Sequence, residues 1–160
     1  MLRTTVAIVS VLLLSYSRAY ATEVAITIDD LPYVGTSPAS ISRKNIVDKM
    51  LLVLAKHGVR EIYGFLNGKR IQEIPDGKDI LDAWVAAGHY LGNHTYSHPD
   101  FNKLGYPEFI TDTVANEPLL ASYFKPSVYR FFRYPFLHEG NTQEKRDKVR
   151  EFLFNQGYKI

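Results

Sequence analysis

The chain has 160 residues, of which 46% are hydrophobic, a formal net charge of +2 and no cysteine. This length and hydrophobic content are enough for one domain with a core, and the absence of cysteine excludes a disulfide framework and thiolate chemistry. No Lys/Arg cluster marks a nucleic-acid-binding surface, so we expect no nucleic-acid partner.

Residues 1–21 have the pattern of a secretory signal peptide. A positive start, an apolar run and a small-x-small cleavage site lie at Arg3, residues 6–14 and residues 19–21. The alternative is an uncleaved anchor, although the apolar run is shorter than the about 20 residues that span a bilayer. We therefore expect an exported protein, periplasmic or secreted, that starts near Thr22 and has no membrane span after cleavage. Because Arg3 and Arg18 lie in the leader, residues 22–160 have equal numbers of acidic and basic side chains, which favours an uncharged or weakly charged substrate.

From residue 24 onward, predicted strands alternate with predicted helices. Strands are predicted at residues 24–29, 61–66, 89–93 and 128–132, with a fifth opening at residue 158. Helices are predicted at residues 41–57, 78–87, 106–124 and 141–156. Pro118 should kink or break the third helix, and Asn141 with Glu144 resembles a capping box for the fourth. Residues 31–40 and the segment around Asn67-Gly68 are predicted as loops. This alternation indicates parallel βα units, which bind ligands at the carboxyl ends of their strands.

Three short motifs lie at such strand ends. They are Thr27-Ile28-Asp29-Asp30, His94-Thr95-Tyr96-Ser97-His98 and Arg133-Tyr134-Pro135-Phe136. Together they supply two carboxylates, two imidazoles and a guanidinium, which are the parts of a divalent-metal hydrolytic site with its own base.

The two carboxylates and the two imidazoles can form one metal site. Asp29 and Asp30 end a strand, where the turning backbone can direct both to one mouth, one to bind metal and the other to act as a base. His94 and His98 are four residues apart, which places both on one side of a helical turn, and Asp30 would complete a His₂Asp set. The ordinary alternatives are an Asp pair in a turn and two surface histidines.

The third motif would serve the carboxylate and the reacting carbonyl. Arg133 can hold Asp29 ionised and oriented, and Pro135 can fix the loop so that the N–H of Phe136 points at a developing oxyanion. The alternative for Arg133 is an exposed ion pair with any nearby acid. His138 follows in the same loop and is a minor candidate for the same mouth.

In order, wording and spacing, the three motifs resemble those of the polysaccharide deacetylases, TFDD, H[ST]xx[HD] and RxP[FYW]. This family is also called the NodB-homology domain, or carbohydrate esterase family 4. The resemblance covers most of residues 24–160. It departs from the pattern at Ile28, where Phe is usual, and His98 takes a position that some members fill with Asp.

The resemblance implies a distorted (β/α) barrel, with parallel strands and outer helices, that removes N- or O-acetyl groups from an acetylated glycan. It implies a divalent metal, zinc in the first place, although cobalt or another transition metal also fits. Water activated by the metal and deprotonated by the general base would attack the acetyl carbonyl. By position, the base would be Asp29, the metal ligands Asp30, His94 and His98, the residue orienting the base Arg133, and the oxyanion donor the N–H of Phe136.

Two further family motifs, one with Asp and Trp and one with Leu and a His that protonates the departing amine, do not occur up to Ile160. We therefore expect residues 22–160 to be the N-terminal two-thirds of a deacetylase domain, a partial barrel with its last strands missing. Such a form should be weak or inactive. The alternatives are a non-catalytic carbohydrate- or metal-binding remnant of the same fold and a related hydrolase acting on small cyclic amides.

Overall fold

The computed structural model describes residues 23–32, 35 and 40–160. The predicted signal peptide and most of the predicted loop at residues 31–40 lie outside them. Strands and helices alternate as the sequence predicts. The strands are β1 (Thr27–Leu31), β2 (Tyr63–Leu66), β3 (Tyr90–Asn93), β4 (Arg130–Phe131) and β5 (Tyr158–Lys159). The helices are α1 (Arg43–Lys56), α2 (Gly68–Gln72), α3 (Gly77–Ala86), α4 (Tyr106–Ala115), α5 (Glu117–Leu120) and α6 (Gln143–Asn155), and Pro135–Leu137 forms a 3₁₀ turn.

The strands form a parallel sheet in chain order. β1, β2 and β3 pair in sequence, β4 pairs with β5, and a bridge between Asn93 and Phe132 joins the two groups. This order, with helices between consecutive strands, is the partial (β/α) barrel that the sequence predicts. The carboxyl ends of the strands therefore lie at one rim.

A bulge interrupts β1 where its two carboxylates lie. Ile28 pairs with Gly64 and Leu31 with Leu66, so β1 uses one more residue than β2 over the same stretch. Within it, Asp30 has a left-handed φ of 62°. A bulge redirects side chains that would otherwise alternate between faces. This is how adjacent Asp29 and Asp30 reach the same rim.

Two hydrophobic clusters lie on the outer side of the sheet. The first joins α1 and α3 to β1–β3 and has the fully buried Trp84 at its centre. The second joins α4 and α6 to β4 and β5 through Phe109, Phe132 and Leu153. The inner side is lined by alternate strand residues, including Tyr63, Phe65 and Phe131, around a cavity of about 700 Å³.

The structure differs from the predicted elements in three places. The segment after Asn67, predicted as a loop, forms α2. The cap of α6 is Thr142, whose Oγ1 accepts from the N–H of Lys145 at 3.2 Å, so the predicted Asn141–Glu144 capping box is wrong. The strands are also shorter than predicted, since residues 24–26 of the first predicted strand are not in β1. The break at Pro118 is confirmed, because α4 and α5 are separate helices.

Among the described residues, no helix combines the length and the hydrophobicity that crossing a membrane requires.

Candidate metal centre

The three sequence motifs meet at the carboxyl rim of the sheet. They surround a cavity of about 460 Å³, and of the predicted site residues only Arg133 and the minor candidate His138 are absent from the lining that the structure describes. The wall is formed by Asp29, Asp30, Arg70, His94, His98, Tyr134, Phe136 and Leu137. The fold thus brings together side chains that are up to about a hundred residues apart in sequence.

Three of these residues have the arrangement of metal ligands. Asp30, His94 and His98 offer donor atoms that all lie within 4.8 Å of one another. The Nε2 atom of His98 is 3.3 Å from Oδ1 of Asp30. One carboxylate oxygen and two imidazole nitrogens suit Zn²⁺ and other divalent transition metals. The residues present therefore fit the metal that the resemblance implies.

The contacts of His94 leave its outer nitrogen free for such a metal. Its Nδ1 lies 2.7 Å from the carbonyl oxygen of Arg133. Because a carbonyl only accepts, Nδ1 carries the proton and Nε2 keeps its lone pair, as in many histidine ligands. His94 is also buried, and burial lowers its pKa below the usual value, which favours the neutral imidazole.

The two histidines do not lie on a helical turn, so that prediction is wrong. Residues 94–98, called here the histidine loop, are irregular. Thr95 and His98 both adopt left-handed backbone conformations, with φ of 65° and 61°. The loop folds back on itself, and this brings the two imidazole rings to 5.0 Å.

Arg133 lies beside Asp29. Its Nη1 donates to Oδ1 of Asp29 at 2.8 Å and to Oγ1 of Thr27 at 2.7 Å. The guanidinium also stacks over the ring of Phe65, 4.3 Å from its centre. These contacts fix a positive charge against Asp29 and orient one of its carboxylate oxygens.

The 3₁₀ turn forms the outer wall of the cavity. Phe136 has a left-handed φ of 57°, and its exposed ring meets the ring of His98 edge-on at 4.6 Å. His138 turns to a different partner, because its Nδ1 lies 2.7 Å from Oδ1 of Asp100. His138 is not among the described residues that line the cavity.

Two residues outside the motifs contact the proposed ligands. Arg70, on α2, donates to Oδ1 of Asp30 at 2.9 Å. Asn67, fully buried, donates from Nδ2 to the carbonyl oxygen of His94 at 2.7 Å. The sequence indicated only a turn at Asn67-Gly68. Because α2 was not predicted, no sequence feature indicated that Arg70 would lie at the cavity.

The chain belongs to the polysaccharide deacetylase family, whose model matches residues 18–157. It is 29% identical to a chitin deacetylase of Arthroderma benhamiae over 122 residues, which cover 76% of this chain and 30% of that protein. It is 34% identical to a peptidoglycan-N-acetylglucosamine deacetylase of Bacillus cereus over 105 residues, 66% of this chain and 32% of that protein.

Solved structures show the same fold. The chitin deacetylase of Colletotrichum lindemuthianum matches with a TM-score of 0.61 at 26% identity, over 85% of this chain and 53% of that one. A peptidoglycan N-acetylglucosamine deacetylase matches with a TM-score of 0.62 at 25% identity, over 86% of this chain and 55% of that one. The matched region is thus about a third of each of these two curated relatives and about half of each solved chain. The predicted family and fold class are confirmed.

Proposed function

We propose that this protein is a metal-dependent hydrolase that removes acetyl groups from an acetylated polysaccharide or oligosaccharide. One observation carries the proposal: Asp30, His94 and His98 offer donor atoms within 4.8 Å of one another, in a cavity that Asp29 also lines. A metal site and a separate carboxylate base at one mouth are what hydrolysis of an acetyl group requires.

Asp30, His94 and His98 would hold the metal, which when bound polarises the acetyl carbonyl and lowers the pKa of water. Asp29 would accept the proton of the attacking water, because Arg133 keeps this carboxylate oriented toward the cavity. The N–H of Phe136 would donate to the carbonyl oxygen as it gains negative charge. Cleavage of the acetyl bond then leaves acetate and a sugar amine or hydroxyl, which must take up a proton.

Zinc is the proposed metal, and an acetylated glycan such as chitin oligomers, peptidoglycan or xylan is the proposed substrate class. The names of the relatives, chitin and peptidoglycan deacetylases, support this class. The resemblance places the acid for the leaving amine in a Leu/His motif that these 160 residues do not contain. We therefore propose that the 160 residues by themselves turn over weakly or not at all. We also propose export through a signal peptide at residues 1–21, to be tested by N-terminal sequencing of the protein recovered from culture.

The central experiment measures metal binding and acetate release on the same preparation. Calorimetry with Zn²⁺ should show binding that is lost in His98→Ala. Acetate released from chito-oligosaccharides or peptidoglycan fragments should be far below that of a complete deacetylase assayed alongside. Asp29→Asn should abolish the residual release and leave zinc affinity near the wild-type value, because Asp29 is proposed as a base and not as a ligand.

The possible results distinguish the three candidate functions of this protein. Zinc binding lost in His98→Ala, with acetate release that depends on Asp29, supports the deacetylase. A glycan-binding signal and zinc binding with no effect of Asp29→Asn would support a non-catalytic binding protein. Hydrolysis of small cyclic amides, without release of acetate from acetylated sugars, would support a related hydrolase that acts on cyclic amides. Turnover of the 160 residues at the rate of the complete relative would contradict the proposed weakness.

A further inference from the structure

The backbone of the histidine loop is hydrogen-bonded at every amide. Each N–H from residue 94 to residue 98 has an acceptor, and these acceptors belong to four residues, of which Leu66 and Asp112 are distant in sequence. The acceptors, in order, are the carbonyl of Leu66 (3.2 Å), Oδ1 of Asn93 (2.8 Å), the carbonyl of Asp112 (3.2 Å), Oδ1 of Asp112 (2.9 Å) and Oγ1 of Thr95 (3.2 Å). Hydrogen bonds to protein groups therefore fix the backbone conformation of this loop.

These hydrogen bonds offset the strain in the backbone of the loop. Thr95 and His98 hold left-handed conformations that cost residues with a side chain about 1–2 kcal/mol each. Strained residues of this kind persist only where their surroundings over-determine the backbone. A loop that kept its shape only when metal was bound would have to order itself at each binding event and would bind more weakly.

Two side chains from other elements each make two hydrogen bonds to the loop, Asn67 and Asp112. On the inner side, Asn67 donates to the carbonyls of His94 and Thr95, at 2.7 and 3.3 Å. On the outer side, Asp112 of α4 contacts Ser97 with both carboxylate oxygens. Its Oδ1 accepts from the Ser97 N–H at 2.9 Å, and its Oδ2 accepts from the Ser97 hydroxyl at 2.5 Å. Ser97 immediately precedes His98.

We propose that Asp112 is a positioning residue of the metal centre: its carboxylate holds Ser97 so that His98 faces Asp30 and His94 before any metal binds. This inference rests on the proposed metal-dependent function. Asp112 lies outside the three motifs, and its carboxylate oxygens are on Ser97, so it acts through the loop and not as a ligand. Its partly exposed place on α4 distinguishes it from Asn67, whose replacement would disturb the core.

The decisive variants differ in whether they keep the hydrogen bonds. Asp112→Ala removes both and preserves α4, since alanine is a strong helix former. Asp112→Asn removes the charge but keeps an oxygen for the Ser97 N–H, while its amide can donate to the Ser97 hydroxyl. Glu108→Ala removes the same charge one turn earlier on α4, at an exposed position, and is the matched control.

The first measurement is zinc affinity by calorimetry, with the visible spectrum of bound Co²⁺ as a second readout. Asp112→Ala should lower affinity about ten-fold or more, the size typical for residues that orient metal ligands, and should change the Co²⁺ spectrum. Its melting temperature without metal should fall by only a few degrees. Asp112→Asn and Glu108→Ala should both stay near wild type. Unchanged affinity in Asp112→Ala would overturn the inference, as would an equal loss in Asp112→Asn, which would assign the effect to charge.

Hydrogen exchange of the metal-free protein is the second measurement, and it does not depend on metal binding. The amides of Ser97 and His98 should exchange at least about ten-fold faster in Asp112→Ala, whereas the amides of α6 should not change. If the wild type takes up no zinc, the proposed function fails. Faster exchange at Ser97 and His98 would still support Asp112 as the residue that holds the loop, and unchanged exchange would overturn it.

Discussion

Two adjoining loops line the cavity, and both place residues in left-handed conformations, but different groups hold them. The histidine loop places Thr95 and His98 in left-handed conformations, and the 3₁₀ turn does so with Phe136 and Leu137. Thr95 is fully buried, whereas Leu137 is 74% exposed. Polar groups of distant segments, including Asn67 and Asp112, hold the first loop, while Pro135 and two local backbone bonds of 3.0 Å hold the second. The comparison teaches that two of the three proposed ligands, His94 and His98, lie on the loop that is tied to distant segments, and that the proposed oxyanion donor lies on the more exposed turn.

Breaking the support of the histidine loop should have the largest effect on stability. Asn93 is fully buried, and its side-chain oxygen accepts from the N–H of Thr95 and from the amide of Asn116. The two hydrogens of its amide are shared among three acceptors, which are the carbonyl of Thr113, the carboxylate of Glu117 and the hydroxyl of Tyr158. Asn93→Ala would leave several of these buried groups without partners, so we expect a loss of about 3 kcal/mol in the free energy of unfolding. Urea denaturation of the metal-free protein measures it. A loss below that of the mutations described next would contradict this order.

A glycine at Thr95 tests whether contacts outweigh backbone strain in the buried loop. Glycine suits the φ of 65°, but it removes the Thr95 hydroxyl that accepts from the His98 N–H, together with a buried methyl group. We expect a net loss of about 2 kcal/mol. Urea denaturation measures it, and a gain in stability would mean that strain dominates in this loop.

The stability of the metal-free protein should depend on pH through His89, which lies outside the proposed ligand set. His89 is 3% exposed, and burial lowers its pKa below the usual 6.5. Well above pH 6.5 His89 is neutral in both the folded and the unfolded chain and contributes no pH dependence. As the pH falls toward and below that value, the unfolded chain takes up the proton first, so stability should fall, by at most about 1.4 kcal/mol per pH unit.

The measurement is the denaturation midpoint between pH 7 and pH 5, without metal. His89→Asn should flatten the curve relative to the wild type, because it removes a group that is buried neutral. An unchanged slope in His89→Asn would assign the pH dependence to other groups.

A glycine at Leu137 should have the smallest effect. The exposed side chain makes little contribution that glycine would remove, and relief of the left-handed conformation offsets the entropy of glycine. We expect a change within about 0.5 kcal/mol, in either direction. A loss as large as that of Thr95→Gly would show that the two loops are held alike and would remove the contrast between them.

Hydrophobic periodicity predicted most of the strands and helices, and the motifs at the strand ends predicted that the proposed site residues lie at one rim. The order of strands, the helix stops and the break at Pro118 all follow from local chemistry that single residues reveal. The helical turn predicted for His94 and His98 was wrong because the loop is shaped by long-range bonds, from Asn67 and Asp112, that no local pattern encodes.

Arg70 illustrates the same limit. Its partner Asp30 is 40 residues away, and it reaches the mouth only because α2 begins directly after β2. That short helix was not predicted, since five residues give too little periodicity to distinguish a helix from a loop. Side chains that support a site from another element are found from the folded arrangement.

The bulge in β1 makes the carboxylate pair depend on the number of residues and not only on their type. Deleting one of the two residues between Ile28 and Leu31 would restore a regular pairing of β1 with β2. The strand would then keep a single aspartate, so the proton acceptor and the metal ligand could no longer be two carboxylates at one rim. Sequence alignments of related chains should therefore first match the number of residues in this strand and only then compare the residue types.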